Sequence, residues 1–353
     1  MIGHVNLASI EASAGIYSLR YAQHIGRGDP SPHLESVTRM LTAVVKHGQF
    51  RLSLAAYSRQ SAGYLACFLE QLPPGVVRVR QSRARWQLTL VTDVELGELL
   101  SVPVHGRDNT ALMRLRQTLI SFKPRWRDVS LFDLASKGVC ENNRDFVYLI
   151  RGESAEEVYY RLSLYLLRLK ALWLVSRGAL PVHACAVARS DASFLFVGES
   201  GAGKTTVAEM SKGASRYILN DERVFIVARR DGYFLQAIPG SVSPHLNGQS
   251  NASCTSTLNE TVQWHHEDSG APLRALFVLK KDQQDQLFPL PSPASARALT
   301  EGYLQSPEFL ISAIPLTYAF QTLSAIARRV PAYELHFRKS PDFWKLIDER
   351  FPA

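Results

Sequence analysis

A glycine-rich octapeptide in the second half of the chain restricts the local fold more than any other feature. Residues 198–205 read GESGAGKT and fit the pattern G-x-x-x-x-G-K-[S/T] at every defined position. An apolar run, SFLFV, leads directly into it, and residues 205–212 have helical character. A strand, a glycine-rich loop and a helix in that order are the context of a phosphate-binding loop, or P-loop. The sequence therefore predicts an α/β fold built around this loop.

The residue types in the octapeptide suit the binding of a nucleoside triphosphate with magnesium. Glycines let the backbone curl so that successive N–H groups point at phosphate oxygens, and the helix that follows adds its positive end. Lys204 is expected to reach the β- and γ-phosphates, and the Thr205 hydroxyl to ligate Mg²⁺. The pattern does not select a reaction or choose between ATP and GTP, because P-loops serve kinases, ATPases, GTPases and switches alike. The predicted nucleotide contacts are Gly198, Glu199, Ser200, Gly201, Ala202, Gly203, Lys204, Thr205 and Thr206.

An acidic pair beyond the loop is the best candidate for the rest of the chemistry. Asp221 and Glu222 follow a short predicted strand at residues 217–219, where they can face the triphosphate at the carboxyl edge of a sheet. Asp221 could hold Mg²⁺, directly or through water, or accept a proton from an incoming hydroxyl, and Glu222 is a second candidate for that duty. The alternative is a charged turn with a local ion pair to Arg223. His183 lies on the strand before the loop strand, where a lone histidine is more often structural.

The chain divides by composition near residue 153. Residues 1–150 are expected to form an α+β accessory domain of unknown role, with strands at 50–57 and 85–92 and helical spacing at 36–46 and 110–120. Residues 151–353 are expected to form the nucleotide-binding domain, and the polar segment 240–270 is expected to be a loop over its site. The predicted helices of this domain are at 153–176, 205–212 and 341–349, and its strands are at 181–187, 193–197, 217–219, 224–228, 233–237, 273–279 and 332–337.

Charge and cysteine usage narrow the class of partner. The formal net charge of +8 favours anionic partners. The basic run at residues 78–85 is interpreted as a solvated face, and nucleic acid is not favoured as a partner. None of the four cysteines has CxxC spacing, which argues against a metal-binding knuckle. Nothing indicates a disulfide framework, so a reducing cytoplasm is expected. Charged residues inside the apolar run 158–176 argue against a membrane span. The histidine pair at 265–266 is interpreted as part of a solvated loop.

These residues carry a resemblance to a known family. The runs PVHACAV and SFLFVGESGAGKTT, followed by LNDERV, resemble the catalytic domain of HPr kinase/phosphorylase and its related small kinases. The resemblance implies a phosphoenolpyruvate carboxykinase-type P-loop fold and ATP-dependent phosphorylation of a serine hydroxyl on a peptide or protein. It implies that Asp221 is the catalytic base, that His183 lies near the phosphates, and that Thr205, Asp221 and Glu222 surround the magnesium.

The sequence departs from that family in two ways. Glu222 stands where the family usually has aspartate, and the glycine-arginine-asparagine signature of the bifunctional enzymes has no counterpart. The resemblance is therefore closer to kinases that act beside peptide-tailoring clusters, for example on lasso-peptide precursors, than to the sugar-control enzyme. The leading hypothesis is a cytoplasmic, magnesium-dependent kinase that uses Asp221, Lys204 and His183 in catalysis. The alternative is a non-catalytic nucleotide-sensing or ATPase module, and a homo-oligomer is one of the assemblies left open.

Overall fold

The computed structural model describes residues 41–47, 49–56, 59–72, 77–78, 86–92, 145–150, 154–189, 192–212, 216–238 and 270–352. The chain divides into two compact units, and the division falls inside one helix, because Arg144–Tyr159 belongs to the first unit and Tyr160–Ala353 to the second. Both units combine helices with a sheet, so the protein is a mixed α/β structure.

The first unit contains a five-stranded sheet in the order β3-β1-β2-β4-β5. β2, β4 and β5 are parallel, whereas β1 and β3 are antiparallel. A helix follows β2 in the chain, as a parallel connection requires, and its Phe68 is buried. The elements are β1 (Leu41–His47), β2 (Phe50–Ala56), α1 (Arg59–Glu70), β3 (Val77–Arg78), β4 (Trp86–Thr92) and β5 (Asp145–Ile150).

The helix predicted for residues 36–46 is wrong for the residues that the structure describes. Leu41–His47 is a strand, and Val45 pairs with Arg78 of β3. Its β-branched Thr42, Val44 and Val45 suit a strand, and an apolar run this short does not reveal its type by periodicity. The helix predicted at 110–120, residues 79–85 of the basic run 78–85, and residues 240–269 of the loop predicted at 240–270 lie outside the described residues.

The main segment of the second unit begins at Tyr160, within the helix Ala155–Ser176. Its central strand, β12, is 11 residues long and pairs in parallel with β8 and β14 and antiparallel with β11. Its elements are α2 (Ala155–Ser176), β6 (Leu180–His183), β7 (Cys185–Ala188), β8 (Ser193–Val197), α3 (Lys204–Met210), β9 (Tyr217–Asn220), β10 (Arg223–Arg229), β11 (Gly232–Ala237), β12 (Ala271–Lys281), β13 (Gln286–Pro289), α4 (Ser292–Leu304), α5 (Glu308–Ile311), α6 (Leu316–Arg329), β14 (Ala332–Phe337) and α7 (Phe343–Arg350).

The strands of the second unit run in the order β6-β10-β11-β12-β8-β7-β9, with β14 also paired to β12 and β13 to β14. Buried aromatic side chains fill the core between this sheet and α7. Phe196 stacks on Phe277 with ring centroids 5.1 Å apart, and Trp344 meets Phe194 and Phe196 edge-on. No helix in the described part of the chain combines the length and the apolar character that a membrane span requires.

Candidate functional site

The glycine-rich loop, residues 198–205, connects β8 to α3. β8 is buried along its whole length and ends at Val197, and α3 begins at Lys204. Gly201 and Gly203 have φ angles of 80° and 109°, in the left-handed region that favours glycine. A Cβ atom on Gly203 would lie 2.6 Å from Cζ of Phe337, at the end of β14. The chain therefore turns here in a backbone conformation that residues other than glycine rarely adopt. There is also no room for a side chain at Gly203.

The side chain of Lys204 folds back against the backbone of the loop. Its side chain is buried, and its Nζ donates hydrogen bonds to the carbonyl oxygens of Gly198 (2.8 Å) and Glu199 (3.1 Å). Burial lowers the pKa of Lys204 from its usual value. Glu199 and Ser200 are exposed, whereas Thr205 and Thr206 are half-buried. The ammonium is thus held beside the loop backbone, and the outer face of the loop is open to a ligand.

Two strand bends bring other predicted residues toward this loop. β6 and β7 are separated by Ala184 alone, and β9 and β10 by Asp221 and Glu222. The strands pair across the bends, because His183 is in register with Arg223, and Ala186 with Asn220. The acidic pair therefore lies opposite the bend between His183 and Ala186.

Asn220 fixes the shape of the acidic turn. Its side chain is fully buried, and its Oδ1 accepts hydrogen bonds from the backbone N–H groups of Glu222 (2.8 Å) and Arg223 (2.7 Å). This is the way that asparagine commonly stabilises a tight turn. Asp221 is only 4% exposed, whereas Glu222 is exposed. The two acids thus have different environments.

The bends and the glycine-rich loop meet at one end of β8. β7 pairs with β8 so that Cys185 is opposite Phe196, one residue before the strand ends. Burial raises the pKa of the Cys185 thiol well above its usual range, the Asp221 carboxylate raises it further, and Lys204 opposes both. One buried thiol therefore lies within electrostatic range of both the lysine and the aspartate.

The environment of His183 links the loop to the acidic turn. Burial lowers the pKa of His183, and the positive charge of Lys204 lowers it further. A hydrogen bond to the backbone of Glu222 acts in the opposite direction. The net effect lowers the pKa of His183 and favours the neutral ring. His183 thus lies between Lys204 and the acidic turn, in register with Arg223 of β10.

The donor set around the loop fits a magnesium ion that is shared with phosphates. Within the described residues, no group of three or more histidine, cysteine, aspartate or glutamate side chains could hold a metal. Mg²⁺ commonly needs less from the protein, because one or two carboxylates, substrate phosphates and water complete its shell. The Thr205 hydroxyl and the buried Asp221 carboxylate are the groups that would take part here, with Glu222 at the solvent side.

A comparison with protein-family models matched residues 164–352 to the family described as SynChlorMet cassette protein ScmC. The matched segment is more than half of the chain. The chain belongs to the ScmC family. The ScmC match contains the glycine-rich loop, His183, Asp221 and Glu222, and it lies entirely beyond β5. A comparison with curated proteins found no match.

The structure brings most, but not all, of the predicted site residues together. His183, Lys204 and Asp221 lie near one end of β8, because Lys204 acts on both His183 and Cys185 and Asp221 acts on Cys185. The side chain of Glu222 is exposed, and the histidine pair 265–266 lies outside the described residues. Sequence reasoning missed three supporting residues: Asn220, Cys185 and Phe337. Asparagine immediately before an acidic pair is a turn signal and could have been used. Nothing in the local sequence connects Phe337 with a glycine more than a hundred residues earlier.

Proposed function

We propose that this ScmC-family chain is a magnesium-dependent kinase that transfers the γ-phosphoryl group of ATP to a hydroxyl, most simply a serine hydroxyl, of a peptide or protein. The proposal includes the phosphoenolpyruvate carboxykinase-type P-loop fold. The observation that carries it is the buried Asp221, held in an asparagine-stabilised turn between β9 and β10, near the Cys185 thiol that Lys204 also approaches. A nucleotide-binding loop alone supports binding, but a buried carboxylate beside it supports transfer to an acceptor.

Phosphoryl transfer places limited demands on a protein, and the described residues suit them. Catalysis is chiefly positioning and charge stabilisation, with a carboxylate that orients the acceptor and takes its proton. In the proposed step the serine oxygen bonds to the γ-phosphorus as the bond to the β-phosphate oxygen breaks. Asp221 accepts the hydroxyl proton, and ADP leaves. A bound Mg²⁺ would neutralise developing charge on the phosphate oxygens.

His183 and Lys204 have separate roles in this proposal. Lys204 already lies against the loop carbonyls and would exchange those contacts for phosphate oxygens. His183 is in register with Arg223, at the end of the acidic turn, so we assign it the role of holding the turn that presents Asp221. Asn220 holds the same turn from its other side.

Substitution of Asp221 by asparagine tests the proposal. Most ATP affinity comes from the loop backbone and Lys204, so Asp221→Asn should leave Mg-ATP affinity within a few-fold. Transfer of γ-phosphate to a library of serine peptides should fall by about 10²–10⁴-fold. Glu222→Gln is the matched control, because Glu222 is the exposed member of the pair and should change transfer by only a few-fold.

Three results would point elsewhere. If affinity and transfer fall together in Asp221→Asn, Asp221 is mainly a magnesium ligand. If the unsubstituted chain binds Mg-ATP and releases phosphate only to water or not at all, the chain is an ATPase or a nucleotide sensor. If Glu222→Gln is the variant that loses transfer, the assignment of the base to Asp221 is wrong.

A further inference from the structure

A cavity lies in the second unit, away from the glycine-rich loop. Its volume is about 600 Å³, and five arginines line it: Arg229, Arg230, Arg274, Arg329 and Arg350. They come from the end of β10, the turn after it, the start of β12, the end of α6 and the end of α7. All five are exposed at the rim of the cavity. Widely separated parts of the chain therefore place the same type of side chain around one cavity.

The cavity and the candidate kinase site lie at opposite ends of the β8–β12 pair. Leu273 of the cavity is in register with Ser193, the first residue of β8, whereas the glycine-rich loop follows Val197, the last. Five residues of strand separate these ends, which corresponds to roughly 15 Å. The cavity is also where β12 changes partner, because β11 pairs with it at Ala271 and Pro272 and β14 from Leu276 onward. The cavity and the glycine-rich loop therefore open at opposite ends of these strands.

The rim arginines are not held in ion pairs by the part of the chain that the structure describes. Among those residues none of the five arginines forms an ion pair with a carboxylate. Arg229 lies over the Phe234 ring at 4.2 Å, and the Nε of Arg350 donates to the hydroxyl of Tyr333 at 3.0 Å, so both guanidinium groups are held in place. By contrast, Arg189 and Arg216 of the same unit share Asp348. Like charges gathered without counter-charges attract anions.

The floor of the cavity has the opposite character from its rim. Leu273, Val330, Tyr333 and Phe351 line it, and each is less than a tenth exposed. Ligand sites for small molecules commonly have volumes of about 300–1,000 Å³, with an apolar lining and a few polar groups that fix orientation. The guanidinium fork matches carboxylate and phosphate oxygens in pairs. The rim and the floor together therefore call for a ligand with both charged and apolar parts.

We propose that this arginine cavity binds a small molecule that carries two or more carboxylate or phosphate groups on an apolar body. The site is separate from the proposed nucleotide site and does not depend on the kinase activity. Its volume favours a small molecule over an acidic peptide segment.

The test uses the full-length chain carrying Lys204→Met, so that the lysine of the glycine-rich loop does not contribute to anion binding. Calorimetric titration with benzene-1,3,5-tricarboxylate and with inorganic pyrophosphate, at constant ionic strength, distinguishes a carboxylate ligand from a phosphate ligand. We expect one saturable site for at least one of the two probes. The Arg274→Gln/Arg329→Gln double variant should weaken that binding by about tenfold or more, because it removes two charge-assisted contacts.

The matched control is Arg177→Gln/Arg297→Gln, which removes the same charge from exposed positions outside the cavity. It should leave the affinity unchanged. All four substituted arginines are exposed, so the variants should fold, and Arg230→Gln alone offers a third removal at the rim. No saturable binding of either probe, or an equal loss in the control, would overturn the proposal. Hexaglutamate that binds more tightly than both probes, and loses affinity in the cavity variant alone, would replace the small molecule with an acidic peptide.

Discussion

At the scale of single residues, Gly203 sets the strictest local requirement in the candidate site. Its φ is 109°, and an added Cβ would lie 2.6 Å from a Phe337 ring that is buried against Phe343. Gly203→Ala should therefore destabilise the chain by about 2–4 kcal/mol, through backbone strain together with overpacking. Gly201→Ala is the matched comparison, because φ there is 80° but nothing lies within 4 Å of the added atom. It should cost only the strain, about 1–2 kcal/mol.

Urea denaturation of both variants measures the difference. The expected order is Gly203→Ala below Gly201→Ala below the unsubstituted chain in free energy of unfolding. Equal losses in the two variants would mean that Phe337 moves aside and that strain alone restricts the loop.

His336 predicts a pH-dependent contribution to stability. Its Nδ1 lies 2.6 Å from Oδ2 of Asp282 and its Nε2 lies 2.7 Å from Oε1 of Glu334. The two carboxylates raise the pKa of His336 above its usual value, and the histidine lowers that of Asp282. Because the folded pKa of His336 lies above the unfolded one, its contribution is complete below about pH 6.5 and is lost as pH rises through the folded pKa.

NMR titration of the ring protons gives the His336 pKa directly, and it should lie above 6.5, the ordinary value. Asp282→Asn and Glu334→Gln should each move it back toward that value. His336→Gln should remove the corresponding fall in stability between neutral and alkaline pH. A pKa at or below the ordinary value would show that the two carboxylates do not hold the ring in solution.

At the scale of elements, α4 packs closely against β6, the strand that carries His183, at the helix residue Gly302. Gly302 is buried, and a Cβ there would lie 2.8 Å from Cγ1 of Val182 and 3.4 Å from the carbonyl oxygen of His183. Alanine is the better helix former by about 1 kcal/mol, so propensity alone predicts stabilisation. The contact with β6 should outweigh it, and Gly302→Ala should destabilise the chain by about 1–3 kcal/mol.

Gly63 of α1 is the matched control, because it is also a helix glycine and nothing lies within 4 Å of an added Cβ. Gly63→Ala should stabilise by about 0.5–1 kcal/mol. Thermal or urea unfolding distinguishes the two signs. Stabilisation by both substitutions would show that β6 yields to α4, and that His183 is not held by this packing.

The strands around the glycine-rich loop are the elements that the sequence predicts best. The prediction at 193–197 has the bounds of β8, and that at 332–337 has the bounds of β14. Both are short apolar or alternating runs with clear punctuation on either side. The single strand predicted at 181–187 is two strands, because the chain bends at Ala184. A bend of one residue leaves the hydrophobic pattern unchanged and has no signal in the sequence.

Several helices were not predicted, for different reasons. α4 begins in a proline- and serine-rich stretch that reads as a loop, and its small residues pack close to β6. α6 has a regular apolar face, with Ala319, Leu323, Ile326 and Ala327 buried, so its pattern could have been recognised. The residues of the candidate site could be proposed from the sequence, because they lie in three short segments with recognisable chemical patterns. The arginine cavity could not be predicted from the sequence, because only the folded sheet brings its lining residues together.

At the scale of the whole molecule, the candidate site belongs to one of two compact units. The glycine-rich loop, His183 and the acidic turn all lie in Tyr160–Ala353, and the ScmC match begins four residues into that segment, at 164. On the proposed function, a bound nucleotide contacts that unit directly. Ligand binding stabilises the structure that forms the site, and it slows only those openings that destroy the site.

Hydrogen exchange with mass spectrometry therefore tests the proposal at this scale. At about a hundred times the dissociation constant, Mg-ATP stabilises the bound unit by about 2.7 kcal/mol, which slows exchange through its opening by about a hundredfold. We expect this slowing in peptides from β8–α3 and β9–β10 and little of it in peptides from β2 and β4 of the first unit. Lys204→Met, which keeps the buried side-chain stem but loses the ammonium, should abolish the effect. Absence of any slowing would contradict nucleotide binding, whereas equal slowing in both units would mean that the two units open as one cooperative structure.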